Sequence, residues 1–375
     1  MRRTTIALAA LLLSATCHAQ LEKIMIAAGT PEDHALQAIS NESDPQKQAA
    51  MYVDFVQTFS SNPIAVAYGN WQISQSYQTA GDFEKALAYG DKALASAPDT
   101  LDILVSQTSI AEQAKNNAKV MDYSTRGGKL YNLVAQQPKP EGLTDEQWTA
   151  RVADAKETNK SSYEFLETAA YNAIADERDG KVRISYIERF TPAFPSSRFD
   201  EEITQYAMAT FSQMNDTPRI YTYGEKALTA NPSSLPTLLM LANTYADDPH
   251  PGSVPKAISY AQKVIALAKT DAPDADKSRK VSAGVAHSTL GYAYAKQEKV
   301  PAAIAELKTA TVLLKGQDDV AYATALYRLG WAYGKMKNLP EARAALEEAI
   351  KIPGPLQTPS QELLKQVNST RTKSN

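Results

Sequence analysis

Apolar positions in residues 284–315, GVAHSTLGYAYAKQEKVPAAIAELKTATVLLK, recur at three- and four-residue intervals, the period of one helix face. Leu290, Gly291 and Tyr294 share a face, the polar run Gln297-Glu298-Lys299 interrupts it, and Ala303, Leu307 and Ala310 then mark a second helix. The pattern predicts an antiparallel helix hairpin. Residues 323–352 repeat it with Leu329, Gly330 and Tyr333, a turn at Lys337-Asn338, and Ala342, Leu346 and Ala349, which sets Ala303 and Ala342 39 residues apart. Glycine and alanine at the expected crossing remove side chain where the two helices meet, so they can approach closely.

The same unit recurs upstream. Residues 85–98, KALAYGDKALASAP, and 219–232, RIYTYGEKALTANP, are identical at six of fourteen positions. Each reads as the second helix of a hairpin, ended by a proline that lacks an amide hydrogen and clashes with the preceding turn. Pro98, Pro232 and Pro353 all occupy such places. The windows 67–98 and 201–232 carry Ile73, Tyr77, Ala86 and Ala93, and Ala207, Phe211, Ile220 and Ala227, respectively. Between them, 101–134 and about 145–195 keep a helical pattern with weak motifs, although Val120 and Tyr123 follow Ala86 and Tyr89 at 34 residues. In 235–269 the residues DDPHPGSVP lengthen the turn by three, an insertion that repeat arrays accommodate outside their packed helices.

These windows resemble tetratricopeptide repeats, whose signature runs W-x₂-L-G-x₂-Y, A-x₃-F and P. The resemblance covers about residues 67–352 and implies an all-α fold: a right-handed α-solenoid of about seven to nine antiparallel hairpins. It also implies that stacked first helices line a concave groove used to bind a protein or peptide. The expected organisation is a signal peptide at 1–19, a flexible N-terminus at 20–31 and helical repeats at 32–137. A loop or hinge at 138–147, stiffened by Pro138 and Pro140, leads to further repeats at 148–356, and a short capping helix with a disordered tail closes the chain at 357–375.

Composition narrows the function classes. Only 16 glycines and 43% hydrophobic residues suit a helical chain with a substantial core. A formal charge of −3, with no run of five like charges, argues against a nucleic-acid partner. Arg2 and Arg3, the apolar run Ile6–Leu13 and the ending Cys17-His18-Ala19 have the order of a secretory signal. Export to the periplasm or exterior is the expectation. The apolar run is too short to span a bilayer, and no later segment is long enough to do so. Cys17 is the single cysteine. Cleavage after Ala19 leaves no thiol for disulfide, catalysis or metal, whereas a lipid anchor would retain Cys17 as an acylated residue; the Ser14-Ala15-Thr16 context favours cleavage.

Catalytic signatures are lacking. No phosphate loop, dinucleotide fingerprint, nucleophile elbow or His-Glu-x-x-His pattern occurs, and His34, His250 and His287 are too dispersed for a metal site. Asp247-Asp248 and Asp318-Asp319 read as solvated loop carboxylates without calcium-loop spacing. No catalytic, cofactor or metal residue is therefore expected. Residues that hairpin packing does not demand form a second stripe on the first helices: Tyr68, Trp71 and Gln75, Ser288 and Tyr292, and Tyr327 and Trp331, with Arg328 beside them. Aromatics there could grip an extended peptide or a helix. Lys and Asn do not recur on that stripe, which disfavours the acidic C-terminal tails of chaperones as ligand.

Two other readings stand beside the non-catalytic scaffold. One is an α/α-hairpin enzyme or binder acting on envelope glycans, needing two carboxylates that converge on a cleft; the other is a lipid-anchored envelope-assembly factor. The intact mass of the exported protein separates the last from the rest: a start at Gln20 is expected, and a mass carrying acyl chains on Cys17 would establish the anchor.

Overall fold

The computed structural model of the chain describes residues 24–250, 252–270 and 276–372. The expected signal peptide at 1–19, with Cys17, lies outside the described residues, as do 20–23 and 373–375. Eighteen α-helices and one 3-10 turn, with no strand, make up the regular structure among the described residues. The chain divides into two compact units, one ending at Arg198 and the other beginning at Phe199.

The first unit holds α1 (Pro31–Ser40), α2 (Pro45–Thr58), α3 (Pro63–Thr79), α4 (Phe83–Ser96), α5 (Leu101–Gln113), α6 (Asn117–Leu133), α7 (Asp145–Thr158), α8 (Lys160–Asp176) and α9 (Gly180–Ala193). Neighbours in sequence pair as hairpins, except that α7 stands between α6 and α8, and both α8 and α9 pack on α6. The segment expected as a hinge connects the 3-10 turn at Val134–Gln136 to α7 inside this unit, and Thr144 closes it with a capping box to Gln147. The second unit holds α10 (Asp200–Gln213), α11 (Thr217–Ala230), α12 (Leu235–Asp247), α13 (Ser253–Ala268), α14 (Lys277–Lys296), α15 (Val300–Leu314), α16 (Asp319–Lys335), α17 (Leu339–Ile350) and α18 (Gln357–Thr372). Eight helix pairs result, four in each unit, within the range the sequence predicts. At the C-terminal end, α18 replaces the expected short cap and tail through Thr372, and its Val367 is buried against the hairpin before it.

One turn recurs in five hairpins. Gly81, Lys115, Asn215, Glu298 and Lys337 all have positive φ, between 54° and 78°. In each case the next residue donates its N–H to a carbonyl five positions earlier: Asp82 to Tyr77, Asn116 to Ala111, Asp216 to Phe211, Lys299 to Tyr294 and Asn338 to Tyr333, at 2.8–3.0 Å. This is the Schellman arrangement that satisfies the last carbonyls of a helix. Asp82, Asn116 and Asp216 then cap the following helix by accepting N–H bonds from Lys85, Lys119 and Arg219. The helix ends without a linker, and its partner begins at once.

With the turn fixed, so is the crossing. Positions twelve residues apart meet across it in Ser74 and Ala86, Gly291 and Ala303, and Gly330 and Ala342, and Thr108 and Val120, and Met208 and Ile220, stand at the same spacing. A Cβ on Gly291 would lie 2.6 Å from Leu307 Cγ and 2.9 Å from the Ala303 carbonyl; one on Gly330 would lie 2.6 Å from Leu346 Cγ. In α10–α11 the sizes are exchanged. Met208 stands at the glycine position, and the space it needs comes from Gly224, whose added Cβ would sit 2.8 Å from Met208 Cε. In α3–α4 the matching glycine is Gly90, where Gln107 of the next hairpin fills the gap. Gln107 Nε2 donates to Ser74 Oγ at 2.8 Å, and Ser74 donates to the Ala86 carbonyl at 2.6 Å.

A small residue on one helix therefore answers a large one on the other. Gly291→Ala should destabilise the chain by about 1–3 kcal/mol through overpacking. Adding Leu307→Ala should cost less in that background than alone, because the two changes share one space; thermal or urea unfolding of the four-member cycle measures the coupling. Additive costs would refute the exchange.

Candidate functional site

First helices in the second unit touch their counterparts in neighbouring hairpins: α10 meets α12, α12 meets α14, α14 meets α16 and α16 meets α18. Second helices make no extended contact with one another. The first helices therefore form the tighter inner layer of this unit, and their outward stripe is a shared surface. Short polar links bind the layer: Thr289 donates to Asn243 Oδ1 and Lys296 to the Ala246 carbonyl, both at 2.5 Å, joining α14 to α12.

On this layer a cationic and aromatic cluster spans α14 and α16. The Arg328 guanidinium lies 4.7 Å from the Tyr292 ring centroid, and its Nη1 donates to Ser288 Oγ at 3.2 Å. Tyr292 and Trp331 have centroids 5.9 Å apart. Lys296 stands 5.1 Å from the Tyr292 centroid and Lys335 5.4 Å from that of Trp331. Arg328, Tyr292 and Trp331 are all half-buried. Burial lowers the Arg328 guanidinium from its ordinary value, while Asp247 and Tyr292 act in the opposite direction. The same burial pushes the Tyr292 phenol up, helped by Asp247 and opposed by Arg328.

The residues expected to line a groove thus fall into four kinds. Tyr292, Arg328 and Trp331 come together. Ser288 is buried at 2% exposure, where it accepts from Arg328. Tyr327 packs against the core around Leu307, Leu329 and Leu346. In the first unit, Tyr68 and Trp71 on α3 pack edge to face at 6.3 Å, and Gln75 is half-buried on the same helix. Trp71 Nε1 is buried with no hydrogen-bond partner. Tyr68, Trp71 and Gln75 thus share one helix of the first unit.

A second feature is built on the insertion. Asp248, after α12, accepts from Tyr221 Oη at 2.7 Å, Ser253 Oγ at 2.8 Å and the His250 N–H at 3.0 Å, and it also holds His250 Nδ1. The Tyr221 ring stacks on Tyr245 at 4.0 Å, and Tyr245 Oη donates to Glu225 at 2.8 Å. Asp248 is therefore an organised loop anchor and not the solvated charge expected of it. Its signal lay in the insertion itself, where an acid precedes a histidine set between two prolines. A cleft of about 500 Å³ opens beside the loop, lined by Asn215, Tyr221, Asn243, Asp247 and His250 among others. Among the described residues no three His, Cys, Asp or Glu side chains converge as metal ligands, and no helix is long and apolar enough to cross a membrane.

A family model described as "Tetratricopeptide repeat" matches residues 282–353, which span most of α14 through α17. No curated protein matched the chain. Among solved structures, "Crystal Structure of P58(IPK) TPR Domain at 2.5 A" matches with 13% identity and a TM-score of 0.33, over 92% of this chain and 99% of that chain.

The hydroxyl of Tyr221, followed by the His250 N–H, holds the Asp248 carboxyl far below its ordinary range. A depressed carboxyl stabilises the fold above the unfolded-state value, about 4, and loses that contribution as the pH falls. In a His250→Ala background, which removes the imidazole contact with Asp248, Asp248→Asn should lower the unfolding temperature at pH 7. The gap to its parent should narrow between about pH 4 and pH 2, as read by circular dichroism melts. A gap that widens on acidification would contradict the assignment.

Proposed function

We propose that this chain, a tetratricopeptide-repeat protein over residues 282–353, is a non-catalytic, exported scaffold whose inner helix layer binds a protein or peptide partner. The observation that carries the reading is the cluster of Tyr292, Arg328 and Trp331 on adjacent first helices, where half-buried rings and a cation share one surface. Aromatic side chains that keep part of their area open can bury it against a partner at little conformational cost. The repeat fold supports a protein-interaction role. Export rests on the order of charged, apolar and small residues in 1–19.

Nothing in the arrangement favours catalysis on glycans. The cleft beside the inserted loop has Asp248 already saturated by hydrogen bonds, so it lacks a pair of free carboxylates for acid and base roles.

A display library of random twelve-residue peptides, panned on the purified protein, tests the reading. Enriched peptides should bind Tyr292→Ala and Trp331→Ala at least about tenfold more weakly, the loss of one interfacial hot spot of roughly 1.4 kcal/mol or more, with helicity retained. Failure to enrich any peptide, or enriched peptides indifferent to both substitutions, would reject this surface as the binding site.

A further inference from the structure

We infer that Arg328 is the recognition point for one acidic side chain, Asp or Glu, in an extended peptide lying across α14 and α16. The inference rests on the peptide-binding reading above and names the chemistry of the partner at that surface.

Arginine carries five N–H donors in a rigid fork suited to a carboxylate. Among the described residues, Ser288 Oγ is the one hydrogen-bond acceptor that Arg328 reaches, and no carboxylate comes within ion-pair distance of it. The residue is half-buried, and a cation withdrawn from water without a bonded counter-ion costs stability. The acid that acts on it, Asp247 at the end of α12, is exposed and works through space only. In contrast, Lys119, Arg198 and Lys315 all have direct carboxylate partners in Asp91, Glu167 and Glu348. Arg328 is thus drawn from water with Tyr292 against it and Asp247 acting at a distance, but with no carboxylate bonded to it among the described residues, and an anion from a partner would supply that direct pair.

The surroundings say which anion. Tyr292 lies against the guanidinium, leaving hydrogen-bond capacity at its edge. Lys296 and Lys335 stand over the neighbouring rings and add positive potential to the surface, while among the described residues Asp247 is the carboxylate that acts on Arg328. A single fork with Tyr292 on one helix and Trp331 on the next fits a chain that continues past its acidic residue on both sides. A chain terminus would leave one ring without contact.

The test uses the full chain and one enriched peptide in amidated form. Three versions are compared by fluorescence anisotropy: the peptide with its acidic residue, with the matching Gln or Asn, and with that amide plus a free C-terminal carboxylate. The wild-type chain should prefer the acidic version at least about tenfold, as expected for a charge-assisted pair, and Arg328→Met should lose that preference. The unliganded Arg328→Met protein should unfold at the same temperature as wild type or higher, because the substitution removes an unpaired cation and keeps the apolar stem. Peptides that bind at Tyr292 and Trp331 without preferring an acid would overturn this inference and leave the peptide-binding reading intact. A preference that survives in Arg328→Met, or that follows the free C-terminus, would also overturn it. Failure of every peptide to bind would remove both readings.

Discussion

The backbone turn between paired helices constrains the rest of the structure. A residue in the left-handed region, followed by an N–H that bonds five positions back, ends one helix and aims the next. Four of the five residues that take this conformation are not glycine, and for an L-residue it costs about 1–2 kcal/mol. The hydrogen bonds and caps at the same place offset that cost. Because the turn has constant length, facing positions on the two helices keep a constant separation in sequence, and packing needs only to satisfy their combined volume. That freedom explains how Met208 can stand where Gly291 and Gly330 stand elsewhere. Gly224 yields the space that Leu307 and Leu346 occupy in the other hairpins.

The two matching helices, 85–98 and 219–232, take their likeness from this exchange. Gly90 and Gly224 are the small members of their pairs, and each also receives a residue from the next hairpin, Gln107 in one case and Leu241 in the other. Gly224 thus serves a contact with Met208 in its own hairpin and another with the hairpin that follows, while the space at Gly90 is taken by the following hairpin. The acid after each glycine has a related task. Asp91 accepts from Tyr123 Oη and Lys119 Nζ, both at 2.7 Å, and Glu225 accepts from Tyr245 Oη at 2.8 Å. These links tie successive hairpins with directed bonds where apolar contact alone would permit sliding.

Legibility followed the chemistry of single positions. Glycine and alanine at the crossings of α14–α15 and α16–α17 could be read directly, because absent side chains have few other uses in a helix. The hairpin α5–α6 was harder to read. Gln107, Thr108 and Ala111 hold the places of Leu, Gly and Tyr, and only the turn at Lys115 and the bond from Gln107 to Ser74 reveal the equivalence. Polar residues at buried positions look like surface residues until their partners are known, and Ser74 lies 33 residues away. The inserted loop was visible as extra length, but its anchoring at Asp248 depends on Tyr221, 27 residues earlier. Helical periodicity carries no information on contacts at that range.

The same limit governs the candidate site. Spacing of three and four residues placed Tyr292 and Trp331 on outward stripes, but it could not separate Ser288, which supports Arg328 from within, from residues that stay open. Arg328 itself entered the candidate set as a cation beside that stripe. What distinguishes it is the absence of something: a carboxylate near enough to pair with it, such as other basic residues of the chain possess. A helical repeat can hold such a residue because the neighbouring hairpin orients its head: Ser288 on α14 accepts from the guanidinium of a side chain rooted on α16. Rigidity inherited from the turns keeps the cation in place, and preorganisation of this kind lowers the ordering cost of any contact made there.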